Sequence, residues 1–286
     1  MTLSFAQSMA LALLQGVSEL FPVSSLGHSI LVPALARWRV DRSDPSFLAF
    51  VVALHLGTAI ALVLFYRNEW WRIISALWRS IVRGRLSNER DESVGWRLVV
   101  ATVPVGIIGV IAEKPVRMLF GSAEAAGGFL AINGLVMFLG EYLRRRQYGA
   151  ERSSRTIAQM PYLQSVAVGF SQAFALLPGI SRSGASIVGG LLCDLDHSEA
   201  AHYSFLLATP VIGAAALLEI PRLFAPGAHV AAVEATAGAI VAGIAAYLSV
   251  AFLTRYFKTK DLGPFGWYCL IFGAICFVLA RIGVLS

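Results

Sequence analysis

The sequence predicts an all-α integral membrane protein, an inverted-topology repeat with two re-entrant helical hairpins and about six full transmembrane helices. Three observations lead there. Of 286 residues, 57% are hydrophobic and only 14% charged, with a mean hydropathy of +0.70, outside the range of soluble globular domains. Apolar runs of roughly 20 residues recur along the chain, each long enough to cross a hydrocarbon core. Two other apolar stretches are interrupted alike, at a constant offset of 156 residues.

The elements follow in order. The stretch 3–21 runs into Pro-Val-Ser-Ser-Leu-Gly-His at 22–28, and proline ends or kinks a helix while Ser and Gly reshape the freed backbone, so it reads as two half-helices meeting inside the membrane. A full span is expected over 47–66. The connector 67–97 places Trp70, Ile73, Ile74, Leu77, Trp78 and Ile81 at helical spacing with Arg72, Arg79 and Arg83 between them, the pattern of an amphipathic helix on the membrane surface. A shorter span over 98–112 and a full one over 123–143 complete the first repeat, 1–143. The second, 156–286, opens with the stretch 163–177 broken by Pro-Gly-Ile-Ser-Arg-Ser-Gly at 178–184, then spans over 200–219, 232–253 and 264–285. The offset aligns Leu20-Phe21-Pro22 with Leu176-Leu177-Pro178, Ser25 with Ser181 and Phe47 with Tyr203. One hairpin and three crossings per repeat invert the second copy, within a single membrane domain spanning 1–286.

A net charge of +6 raises the question of nucleic acid, yet 15 of the 23 Lys and Arg sit in the connectors 67–97, 144–155 and 255–261. The proposed topology puts all three on one side, with both termini outside. That is the positive-inside pattern of a multi-pass protein of the bacterial cytoplasmic membrane, and it speaks against a nucleic-acid partner. The first basic residue is Arg37, so the amino-terminal stretch lacks a signal peptide's basic flank, and the chain is expected to insert as a whole with no soluble domain attached. Cys193, Cys269 and Cys276 lie in apolar segments without metal or disulfide spacing and are expected as buried packing residues.

Chemistry is expected at the two breaks. Broken backbone in lipid must be buried in protein or line a cavity, and half-helix N-termini favour anions. Ser181, Arg182 and Ser183 offer two hydroxyls and a planar cation suited to phosphate, with Gly179 beside them; Arg182 is either an anion clamp or a structural partner of Glu19 or a carbonyl. Gln15 and Glu19, four residues apart, share one helical face, and Ser25 and His28 lie three apart beyond the break, with Ser24 adjacent. Carboxylate, imidazole and hydroxyl opposite an arginine describe a phosphoryl-transfer site, with Ser25 and His28 expected to act as a unit. His55, mid-span, is a lesser candidate; His197, His202 and His229 are expected to be solvated or structural.

The segments Gln-Gly-Val-Ser-Glu-Leu-Phe-Pro-Val-Ser-Ser-Leu-Gly-His (15–28) and Leu-Pro-Gly-Ile-Ser-Arg-Ser-Gly-Ala-Ser (177–186) resemble the two signature motifs of the bacitracin-resistance type of undecaprenyl-diphosphate phosphatase. His-Leu-Gly-Thr (55–58) and Ser-Phe-Leu-Leu-Ala (204–208) resemble further segments of that family, and the likeness spans nearly the whole chain. Leu26 and Ser186 depart from the pattern, and Val51 and Cys269 stand where it has an acid and an arginine. The resemblance implies hydrolysis of a polyprenyl diphosphate to the monophosphate carrier used in cell-wall synthesis, tolerance of bacitracin, help from a divalent cation such as Mg or Ca, and an active site open to the outer, periplasmic face. By motif, Glu19, Ser25, His28 and Arg182 would be catalytic, with Glu19 also the metal ligand; Gln15, Ser24, Gly179, Ser181 and Ser183 would bind substrate. Partners would be the lipid diphosphate and membrane lipids, with room for a homo-oligomer. The alternative is a polyprenyl-phosphate flippase or transporter, because the same architecture serves transport.

Overall fold

The computed structural model describes residues 3–41, 44–117, 122–148, 155–223 and 232–285; His229 and residues 149–154 of the second basic connector lie outside them. The described elements are all helical. They are α1 Phe5–Ser18, α2 Ser25–Leu35, α3 Pro45–Phe65, α4 Arg67–Arg83, α5 Arg90–Arg117, α6 Ala123–Tyr148, α7 Tyr162–Ala173, α8 Arg182–Leu192, α9 His197–Leu223, α10 Ala232–Tyr256 and α11 Gly263–Arg281.

Among the described residues five helices are long and apolar enough to cross a membrane, within α3, α5, α6, α10 and α11. The sixth expected crossing corresponds to α9, 27 residues long, some of whose last side chains lie outside the description. The four helices flanking the breaks are short, 14 residues for α1, 11 for α2, 12 for α7 and 11 for α8, and none alone spans a core needing roughly 20. Sequence sets these limits. Ser4 and Gln7 form a capping box at the start of α1, Ser24 caps α2, and Ser181 caps α8 through the Gly184 amide.

Small residues let the helices approach closely, as membrane packing requires. Gly16 of α1 meets the Ala242 carbonyl of α10, and Gly169 of α7 meets the Ala101 carbonyl of α5; a Cβ fits at neither. α6 packs along α11, and α3 lies between α9 and α10. The amphipathic connector is realised as α4. It turns Ile73 and Ala76 inward and leaves Trp71, Ile74, Trp78 and Ile81 exposed, an apolar stripe that suits a membrane interface.

The basic connectors gather at one end of the bundle, around the start of α9. Glu69 pairs with His202 at 2.9 Å, Arg155 with Asp194 at 3.5 Å, and Arg145 with Asp261 at 3.0 Å, while His197 holds Glu141 at 2.7 Å. Thus His197 and His202 are partnered structural residues. Cys193, Cys269 and Cys276 are free and buried, as expected.

Candidate active site

The two breaks meet. A Cβ on Gly27 would lie 3.0 Å from the Gly179 Cα, and Gly179 sits at φ +111°, a conformation open to glycine but strained for other residues. Asn133 of α6 holds both breaks at once: its amide nitrogen donates to the Pro22 carbonyl at 3.0 Å, and its oxygen accepts from the Ser181 amide at 3.0 Å. Ser183 adds a third tie, donating to the Phe21 carbonyl at 3.0 Å. Nothing in the sequence marked Asn133 apart from other polar residues in apolar runs. Asn133→Leu keeps the number of side-chain heavy atoms but strands the buried Ser181 amide and leaves the Pro22 carbonyl only the weak Cys269 thiol as donor, so detergent melting should show a loss of about 2–4 kcal/mol in stability; an unchanged melting point would remove Asn133 from this role.

Beside this contact lies a cavity of about 250 Å³ lined by Gln15, Glu19, Ser24, Ser25, Ser181 and Arg182 among the expected residues, together with His55 and Gln172. Glu19, at the end of α1, is the one carboxylate among the described residues that line it. Its Oε1 accepts from Nη2 of Arg182 at 3.1 Å; its Oε2 accepts from the Ser25 hydroxyl at 2.6 Å and from the Gln15 amide at 3.0 Å. The shared face of Gln15 and Glu19 is therefore real. Arg182 is a partner of Glu19 through one nitrogen, while its Nη1 is buried with no hydrogen-bond partner. A buried guanidinium nitrogen without a partner is costly, and an anion in the cavity would supply one.

His28 is arranged differently from the expected pairing with Ser25. Its Nδ1 is 2.7 Å from the Ser24 carbonyl, its Nε2 is 2.7 Å from the Tyr268 hydroxyl, and its ring stacks with Tyr268 and Phe272 at 5.7 and 5.5 Å. Spacing of three residues puts two side chains only roughly on one face. Ser25, first in α2, turns back to α1, whereas His28 turns across to α11. With both ring nitrogens engaged, His28 braces Ser24, whose φ of 68° is a strained conformation at the break. Gly179 and Ser183 likewise are not cavity-lining; they serve the contact between breaks, Ser183 also meeting Ser181 at 3.0 Å between hydroxyls. Cys269 is fully buried near Asn133 and the Pro22 carbonyl, and Val51 gives its carbonyl to Nδ1 of His55.

His55 has a larger place than its mid-span position suggested. Its Nε2 lies 3.9 Å from Oε2 of Glu19. Gln172 was missed, although the sequence carries a signal for it. An offset of 153, rather than 156, aligns Gly16-Val17-Ser18-Glu19-Leu20-Phe21 with Gly169-Phe170-Ser171-Gln172-Ala173-Phe174. The three extra residues in the second copy are taken up by the single 3-10 turn Phe174–Leu176. Among the described residues no three His, Cys, Asp or Glu converge as metal ligands, and both oxygens of Glu19 already accept hydrogen bonds, so the protein alone does not offer a metal site.

A multi-pass membrane protein with hydroxyl, carboxylate and guanidinium gathered where two broken helices meet has at that place the donors and the cation that an anionic group would need. The family model described as bacitracin resistance protein BacA matches residues 8–275, so the chain belongs to that family. An undecaprenyl-diphosphatase of Acidiphilium cryptum is 48% identical over 277 residues, covering 95% of this chain and 96% of the relative. Proteins of the same name are similar in Gluconacetobacter diazotrophicus, 45% identical with 97% and 98% covered, and in Mycolicibacterium paratuberculosis, 44% identical with 96% and 97% covered.

Proposed function

We propose that the chain hydrolyses undecaprenyl diphosphate to undecaprenyl phosphate and inorganic phosphate in the cavity at the two breaks, recycling the carrier lipid for cell-wall synthesis and conferring tolerance of bacitracin. Family membership and the relatives' names support a phosphatase and give no support to the flippase alternative. The observation that carries the site is the 2.6 Å hydrogen bond from Ser25 to Glu19 beside the unpartnered Nη1 of Arg182.

In this reading Ser25 passes its proton to Glu19 as Oγ attacks the terminal phosphorus. The bridging P–O bond breaks and its electron pair leaves on undecaprenyl phosphate. Water then attacks the phosphoserine, Glu19 returns its proton to Oγ as that P–O bond opens, and both protons of the water leave with inorganic phosphate as dihydrogen phosphate. Arg182 neutralises charge on the transferring group, and the first amides of α2 and α8 add donors. Were a divalent cation of the Mg or Ca kind to take part, Glu19 would be the carboxylate beside it in the cavity, and the cation would supply further neutralisation of phosphate charge. Purified protein in detergent should release phosphate from undecaprenyl diphosphate. Hydrolysis needs no second compartment, so absence of release in detergent would favour transport.

The same reading places the chain in the bacterial cytoplasmic membrane as two inverted repeats, 1–143 and 156–286, each opening with a re-entrant pair, α1–α2 and α7–α8. The exchanged packing of Gly16 on α10 and Gly169 on α5 supports it, as does the gathering of basic connectors at one end. Phe47, Phe50, Val51 and Leu54 come from the first half of α3, and Val211, Ile212 and Ala215 from the later part of α9, both remote from the basic end, which supports an opening to the outer face. With the native cysteines replaced, Leu86→Cys and Lys258→Cys should react with an impermeant thiol reagent only from the cytoplasmic side, and Ala36→Cys only from outside. Reversal of all three would overturn the orientation; Leu86 and Lys258 on opposite sides would sink the span count.

A further inference from the structure

Gln172 is 1% exposed, yet neither its amide nitrogen nor its oxygen has a hydrogen-bond partner, and it lines the same cavity as Glu19, Ser25 and Arg182. A buried, unpaired amide costs of the order of 1–3 kcal/mol, so its retention calls for a partner that arrives from elsewhere. The repeat locates that partner. Gln172 occupies in α7 the position that Glu19 occupies in α1, so the two side chains reach one cavity from two different helices. Phosphoryl transfer sets attacking oxygen, phosphorus and leaving oxygen roughly in line. Ser25 is held by Glu19, so the leaving phosphate must be met by other groups, and Gln172, beside Ala175 and Leu176 in the lining, has both of its polar atoms unpartnered.

We propose that Gln172 is a headgroup-binding residue that holds the phosphate attached to the prenyl chain, sharing it with Nη1 of Arg182, while Glu19 and Ser25 handle the terminal phosphate. The two copies of one helix have divided the work: a carboxylate where a proton must be accepted, a neutral amide where an anion must be held. A second carboxylate facing a diphosphate would repel it, and the amide donates without that penalty.

The inference rests on the cavity being the place of cleavage, and the test separates the two. Purified wild type, Gln172→Met and Gln172→Glu are compared for kcat and KM on undecaprenyl diphosphate, inhibition by undecaprenyl phosphate and by inorganic phosphate, and melting without substrate. Gln172→Met should raise KM about tenfold with kcat within about twofold, because the contact is made equally before and during transfer. Inhibition by undecaprenyl phosphate should weaken by the same factor, inhibition by inorganic phosphate should not change, and the melting point should hold or rise. Gln172→Glu keeps the shape and adds charge, so KM should rise about a hundredfold; it carries the test if the Met variant fails to fold. Weakened inhibition by inorganic phosphate alone would move Gln172 to the terminal phosphate and overturn the assignment. A loss of kcat that tracks a loss of melting temperature, with KM unmoved, would make it structural. Wild-type kinetics in Ser25→Ala would instead refute the cavity as the cleavage site.

Discussion

Arg182→Ala should lower turnover of undecaprenyl diphosphate by a thousandfold or more, on the order of an arginine that neutralises a transferring phosphoryl group elsewhere. The alanine variant also leaves Glu19 buried without its cation, at a cost of roughly 3–5 kcal/mol, so lost activity alone would not isolate the chemical role. Arg182→Lys does. It keeps the charge beside Glu19 but cannot offer Nη1 and Nη2 in a fixed fork, and turnover should fall at least about tenfold, equal to roughly 1.4 kcal/mol of barrier, with the melting point nearly unchanged. Wild-type turnover in a folded Lys variant would show that the unpartnered nitrogen does not meet the substrate.

Ser25→Ala should be as damaging, with kcat reduced by about a thousandfold or more and KM changed little, since it removes an interaction made only in the transition state. His28→Ala should behave differently. His28 contacts Ser24, Tyr268 and Phe272, so its loss should lower the melting point and activity together, and a coupled loss with Ser25 is not expected. An inactive His28→Ala of wild-type stability would restore the imidazole as the proton acceptor.

Much of this was legible in the sequence, for identifiable reasons. Apolar run length gave the helices of the bundle, because a bilayer fixes that length. The paired Pro-Ser-Gly segments gave the breaks, and spacing of four gave the Gln15–Glu19 contact, because both are local. The partners of side chains across the fold were not local. Asn133 was invisible because its value lies in reaching two distant breaks, 111 and 48 residues away in sequence. Spacing alone misdirected the Ser25–His28 pairing, since it says nothing of Tyr268 waiting on α11. Gln172 was concealed by a rigid offset of 156 that ignored a single turn of extra chain. The charge pattern, by contrast, anticipated the clustering of Arg145, Arg155 and Glu69 at one end, because insertion acts on connectors whole.

The central claim is that Ser25 and Glu19 perform one step together, and a double-mutant cycle on phosphate release tests it most directly. Wild type, Ser25→Ala, Glu19→Gln and the double variant would be assayed on undecaprenyl diphosphate in detergent, each checked for melting. Groups that act as a unit are strongly non-additive, so the two single variants and the double should share nearly the same residual rate. Losses that multiply in the double variant, with all four proteins folded, would contradict the account.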